Sequence, residues 1–139
     1  MESGDMIDCC EREVHELHQF IERWLKGQLE NTELRFARLE KSLSSEFIIV
    51  QPSGIAQDKQ AVLRNFRTAY GTRDALFSIE IRNFKPLLVT DSVCVALYEE
   101  WHHGPESKGR VSTAVFKRHC IDQNLEWVHV HETIIEKRN

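Results

Sequence analysis

From Ser92 to Ile135 the chain alternates, and few folds accept such a run. Val93, Val95, Leu97, Glu99 and Trp101 share one parity, and Cys94, Ala96, Tyr98, Glu100 and His102 share the other. A period of two is the period of a β-strand, whose successive side chains point to opposite faces. The same pattern returns from Arg110 to Cys120 and from Leu125 to Ile135. The polar loop from His103 to Gly109 joins the first two of these strands, and Asp122-Gln123-Asn124 supplies turn chemistry between the last two. Both faces carry apolar residues: Val111 and Val115 oppose Ala114 and Phe116. A sheet of this kind needs a cover on each side. Its densest part, Trp127 to Thr133, turns His129 and His131 to one face, while strict alternation gives Glu126 and Glu132 the other.

The upstream half supplies one cover. Ile7, Cys10, Val14, Leu17, Ile21 and Trp24 recur at helical spacing, with Asp5 as a cap, and the stripe fades at Gly27. Phe20 and Trp24 are expected in the core. Asn31-Thr32 reads as a break and a fresh cap, followed by a shorter helix carrying Phe36, Leu39 and Leu43. Glu46 to Val50 has strand length, and Pro52-Ser53-Gly54 turns the chain. Asp58 caps a third helix with Val62, Leu63, Phe66 and Tyr70 on one face and Gly71 at its end. Phe77, Ile79 and Ile81 open another strand, which Pro86 interrupts as a bulge or an edge. Helices followed by antiparallel strands predict one α+β domain over residues 1–139, its helices on one face of a curved sheet.

The formal charge of −4 has no basic stripe set within it, which argues against a nucleic-acid partner. No apolar run reaches the ~20 residues of a membrane-spanning helix, and the acidic N-terminus lacks the order of a secretory signal. Of the four cysteines, Cys9, Cys10, Cys94 and Cys120, none stand in Cys-x-x-Cys spacing. The expectation is a reduced, cytoplasmic protein with no metal and no cofactor.

The order of elements, the segment Glu46-Phe47-Ile48-Ile49-Val50-Gln51-Pro52-Ser53-Gly54, and the pair Ser112-Thr113-Ala114-Val115-Phe116 with Trp127-Val128-His129-Val130-His131-Glu132-Thr133 resemble the nuclear-transport-factor-2-like superfamily. The likeness is nearest to its SnoaL-like and small bacterial branch, and the final hairpin also resembles the association domain of calcium/calmodulin-dependent protein kinase II. The resemblance covers nearly the whole chain. It implies a cone-shaped, curved antiparallel sheet wrapped around about three N-terminal helices, a pocket at the open end, and a homodimer formed through the outer sheet face. It also implies that Val128, Val130, Glu132 and Ala114 point inward, beside Leu97, Glu99 and Trp101.

On that assignment Glu99, Trp101, Arg110, Ser112 and Glu132 line one pocket mouth. A carboxylate in an apolar cavity has a raised pKa and can act as a general acid or base, which makes Glu132 and Glu99 the catalytic candidates. The plainer alternative is a Glu132–Arg110 ion pair closing the cone. His129 and His131 point the same way, outward, and suit a dimer interface; a metal there would need a third ligand such as Glu100 or His119. His15 and His18 share a helix face and are expected in solvent. The resulting expectation is a small dimeric domain binding a small, partly apolar molecule. The alternatives are a SnoaL- or ketosteroid-isomerase-like enzyme using Glu132 or Glu99, and a non-catalytic dimerisation domain.

Overall fold

The computed structural model describes residues 3–119 and 122–136; Cys120, expected at a strand end, lies outside them. Helix α1 runs Ser3–Leu25, and its stripe of Met6, Cys10, Val14, Leu17, Phe20 and Trp24 is buried. Helix α2, Glu33–Ser42, starts on Thr32, whose hydroxyl accepts from Arg35 N at 3.3 Å. Helix α3, Lys59–Ala69, starts on Asp58, whose carboxylate accepts from Ala61 N at 2.9 Å. Trp24 ties the three together. Its ring meets Phe36 at 5.1 Å and Tyr70 at 4.7 Å, and its indole N–H donates to Phe66 O at 2.7 Å. Gly27 and Gly71 both adopt positive φ beside it, and a Cβ on Gly27 would lie 3.3 Å from Gly71 Cα. Only glycine permits that conformation and that approach together.

The strands are β1 Leu43–Val50, β2 Ala56–Asp58, β3 Ser78–Val89, β4 Val93–His103, β5 Lys108–Arg118 and β6 Leu125–Ile134. They form one open, mixed sheet in the order β2-β1-β6-β5-β4-β3. The α+β class and the curved sheet stand as expected. The sheet is not antiparallel throughout, however, because β1 joins β6 in parallel. The long path through β2, α3 and the three middle strands lets β1 and β6 run side by side in one direction, as a parallel pair requires.

Two irregularities shape the sheet. Beside Pro86 the β3–β4 register shifts, as the proline foretold, and it shifts again around Asn83, which has φ of 57°. In β6, Val115 pairs with His129 and the next residue, Phe116, with Trp127, so Val128 is an extra residue. This bulge reverses the alternation. Trp127, Val130 and Glu132 all become buried against the helices, and Glu126 no longer shares a face with Glu132.

Candidate functional site

The ladder between β4 and β5 decides which residues face the helices. Ala96 pairs with Ala114, Tyr98 with Ser112 and Glu100 with Arg110. Directly opposed residues share a face, and all but Arg110 are buried. The inner parity of β4 is therefore Cys94, Ala96, Tyr98, Glu100 and His102. The small Cys94 and Ala96 leave room for α1 on the concave side. Glu99 and Trp101, expected inside, lie on the outer face. There Glu99 accepts from Asn83 Nδ2 at 2.7 Å and from the Trp101 indole at 2.9 Å. Those two hydrogen bonds, Asn83's first, lower its pKa instead of raising it. Trp101 covers Gly109, its cross-strand partner, and carries the Arg82 guanidinium 4.8 Å from its ring centre. Of the five expected lining residues, the fold brings together Arg110, Ser112 and Glu132 and separates Glu99 and Trp101.

The inner face gathers a different set around Glu100. His18 lies on α1, four residues beyond Val14, and is 6% exposed. Its Nδ1–H donates to Val14 O at 2.7 Å, and its Nε2 meets Glu100 Oε1 at 3.0 Å. A carbonyl and a carboxylate can only accept, so both ring nitrogens carry hydrogen and His18 is an imidazolium. Burial by itself would lower the His18 pKa; the charge and hydrogen bond of Glu100 outweigh it and raise the value. Burial likewise opposes ionisation of Glu100. The charge of His18 and the hydrogen bonds from His102 and His18 overcome it, so Glu100 stays ionised well below the usual carboxylate range. His102 Nε2 holds the second oxygen at 2.5 Å.

Beside this triad Arg110 Nη1 donates to both oxygens of Glu132 at 3.2 Å. Burial nevertheless raises the Glu132 pKa; Arg110 opposes the rise and Glu100 adds to it. Tyr98 and Trp127 stand edge-on to His18 at 5.6 and 6.1 Å. Burial drives the Tyr98 phenol well above its ordinary pKa. Ser112 is near enough to temper that shift but too poorly placed to be hydrogen-bonded, and its buried hydroxyl has no partner among the described residues.

His18, Tyr98, Glu100, His102, Arg110 and Glu132 floor a cavity of about 290 Å³, and Ser112, expected in its lining, is buried behind it. Apolar side chains of α1, α3 and β1, such as Ile21, Phe66 and Phe47, form its belt. Gln51, Gln57 and Asn65 give it a second polar side. Groups that donate and accept hydrogen bonds therefore sit at both ends of an apolar waist. His129 and His131 do point outward, with ring centres 6.1 Å apart, but Glu100 lies on the opposite face and cannot join them. Among the described residues no three His, Cys, Asp or Glu side chains are grouped to hold a metal, and no helix is long and apolar enough to cross a membrane.

On the sequence alone His18 belongs in solvent and Glu100 enters only as a third metal ligand, and neither Tyr98 nor His102 is a site residue; the fold buries His18. A signal for His18 existed: it lies four residues after Val14 and three before Ile21, which widens the apolar stripe to include it. For β4, the small residues Cys94 and Ala96 marked the crowded face.

The fold and cavity define an NTF2-like domain. An NTF-2-like protein of unknown function from Pseudomonas aeruginosa superposes with a TM-score of 0.83 at 29% identity, over 92% of this chain and 99% of that one. An NTF2-like protein from Cytophaga hutchinsonii shares the fold alone, with a TM-score of 0.63 at 14% identity over 97% and 100% of the two chains. Residues 10–136 match the model of the sucrose-6-phosphate phosphohydrolase C-terminal family, and the chain belongs to that family. Sucrose-phosphatase 1 of Nicotiana tabacum is 25% identical over 142 residues, covering 95% of this chain and 33% of the relative. The chain thus spans about a third of the curated relatives it matches.

These findings correct the functional expectation. A domain of unknown role for a small, partly apolar ligand, an isomerase-like enzyme using Glu132 or Glu99, and a pure dimerisation domain all give way to a domain of the sucrose-6-phosphate phosphohydrolase C-terminal family. The structure agrees on the catalytic candidates: Glu99 is outside the cavity, and Glu132 is tied to Arg110.

Proposed function

We propose that this chain serves sucrose 6-phosphate turnover as a sugar-recognising accessory domain, acting beside a phosphatase domain. The hydrolysis named in its relatives belongs to proteins about three times its length. The observation that carries the reading is the compensated floor of the inner cavity. His18 and Arg110 offset Glu100 and Glu132, so donors and acceptors stand side by side with little net charge. A sugar ring asks for this, since each hydroxyl both donates and accepts. The apolar waist suits its C–H faces. A cytoplasmic setting fits the free thiols Cys9, Cys10 and Cys94. A homodimer through the outer sheet face, where Ile48, Leu88 and Val111 are exposed, remains part of the proposal; a monomer by sedimentation at micromolar concentration rules it out.

Titration calorimetry with sucrose tests the reading. Saturable binding at millimolar sucrose is expected, and Glu132→Gln should weaken it about tenfold, which is ~1.4 kcal/mol. Absence of binding to sucrose, glucose and fructose alike overturns it.

A further inference from the structure

The outer face of the sheet carries a pair of side chains that the inner cavity does not use. His129 and His131 stand two apart on β6, just past the bulge at Val128, with ring centres 6.1 Å from each other. Four other histidines are committed to carboxylates: His18 and His102 to Glu100, His103 to Glu80 and His119 to Asp122. Among the described residues, His129 and His131 enter no hydrogen bond or ion pair, and the ring contact they make is with each other. Their neighbours explain this. Val115 and Ile48 pair with His129, and Thr113 and Val50 pair with His131. Lys117 and Glu126, the nearest charges toward the bulge end of β5 and β6, oppose each other directly.

Two imidazoles on one face of a strand make half of a metal site. Imidazole nitrogen suits zinc, copper and nickel, whereas magnesium and calcium take oxygen ligands. With metal–nitrogen bonds of ~2.0–2.1 Å, two rings on one ion have centres roughly 5–6 Å apart, so a small turn of the exposed His131 ring closes the present spacing. A closed zinc site takes four ligands, and one chain offers two here. A second copy offers the others. Strand β6 is third in the order β2-β1-β6-β5-β4-β3, so the pair lies near the middle of the outer face. A two-fold dimer through that face presents one patch to its own copy and brings equivalent central residues together. Ile48 and Val111, exposed on β1 and β5, give the contact an apolar surround. We infer that His129 and His131 of two copies form a four-imidazole site for one divalent transition-metal ion between the outer sheet faces. The inference rests on the homodimer proposed above, whose central contact it identifies, and it is independent of the sugar reading.

Sedimentation velocity and titration calorimetry on the full chain, first in a chelator and then with zinc chloride, test the site. Zinc should bind at one ion per two chains and tighten the dimer at least tenfold, and the chelator should reverse both effects. Magnesium and calcium should produce neither. His131 is exposed and His129 half-buried, so His129→Gln/His131→Gln should keep the wild-type melting temperature in chelator while losing zinc binding and the zinc effect. Zinc binding that survives the double variant overturns the site, as does one zinc per chain with unchanged assembly. A dimer in chelator that zinc neither binds nor tightens overturns the metal site and leaves the homodimer standing. A monomer in chelator that zinc converts to a dimer upholds the metal site and removes the metal-free homodimer. A chain that stays monomeric with and without zinc overturns both.

Discussion

Glu99 and Glu100 are consecutive in the chain, and they live in different solvents. Glu100 is buried between His18 and His102 and faces the cavity; Glu99 lies on the outer face, hydrogen-bonded to Asn83 and Trp101. The pKa of each is lowered, by different physics. At Glu99 two hydrogen bonds suffice, because water still solvates the charge. At Glu100 burial alone would raise the value, and only a charged partner with two hydrogen bonds reverses it. A buried ion pair is held by mutual need: once charges leave water, losing either partner strands the other. The outer pairs carry no such obligation.

The sharpest way to break this comparison is His18→Leu, which removes the imidazolium and strands Glu100. The expected cost is ~3–5 kcal/mol, toward the lower end because His102 remains. Urea denaturation measures it. Adding Glu100→Leu should restore part of the loss, since two well-packed apolar side chains no longer bury a charge. A single variant as mild as a surface change would contradict the pair's weight. The same pair predicts a pH window. His18's folded pKa is raised above 6.5, so its contribution is complete below that value and fades as pH rises through the folded value. Glu100's folded pKa is lowered, so its contribution is complete above 4.5 and fades as pH falls through the folded value. The difference in melting temperature between wild type and the double variant should therefore be greatest from about pH 4.5 to 6.5.

Gly109 probes the outer face at its most crowded point. A Cβ there would come within 2.7 Å of the Trp101 ring, so Gly109→Ala must displace the indole and loosen Arg82 above it. Overpacking of this sort costs ~1–3 kcal/mol, and the low end applies because the ring borders solvent. Trp101→Ala in the same background should remove the penalty, a non-additivity that a thermal-melt cycle detects.

The sequence carried the elements well and the faces less well. Capping at Thr32 and Asp58, the stripe from Cys10 to Trp24 and the break at Pro86 are local chemistry, and the fold uses each as read. Face assignment depends on an unbroken count of two. Val128 adds one residue to β6, and nothing in Trp127-Val128-His129 announces it. On β4 both parities contain apolar and acidic residues, so alternation alone could not choose between Glu99 and Glu100. The choice is made by α1, which needs Cys94 and Ala96 beneath it and brings His18 to Glu100 across 82 positions of chain. The parallel pairing of β1 with β6 is equally non-local.

The smallest effect expected is the most direct check on the contrast. Glu99→Gln keeps the shape of the side chain and removes its charge. Its partners, Asn83 and the Trp101 indole, are neutral donors, and an amide oxygen still accepts from them. The change should stay within about 0.5 kcal/mol, as surface substitutions do. It should leave sucrose binding unaltered, because Glu99 points away from the cavity. Glu100→Gln, one residue on, removes the acceptor charge that keeps His18 protonated inside the protein. Side by side in one denaturation series, the two Gln variants compare the same chemistry on opposite faces of one strand. If they cost the same, burial is not what separates Glu99 from Glu100, and the assignment of β4's inner face fails with it.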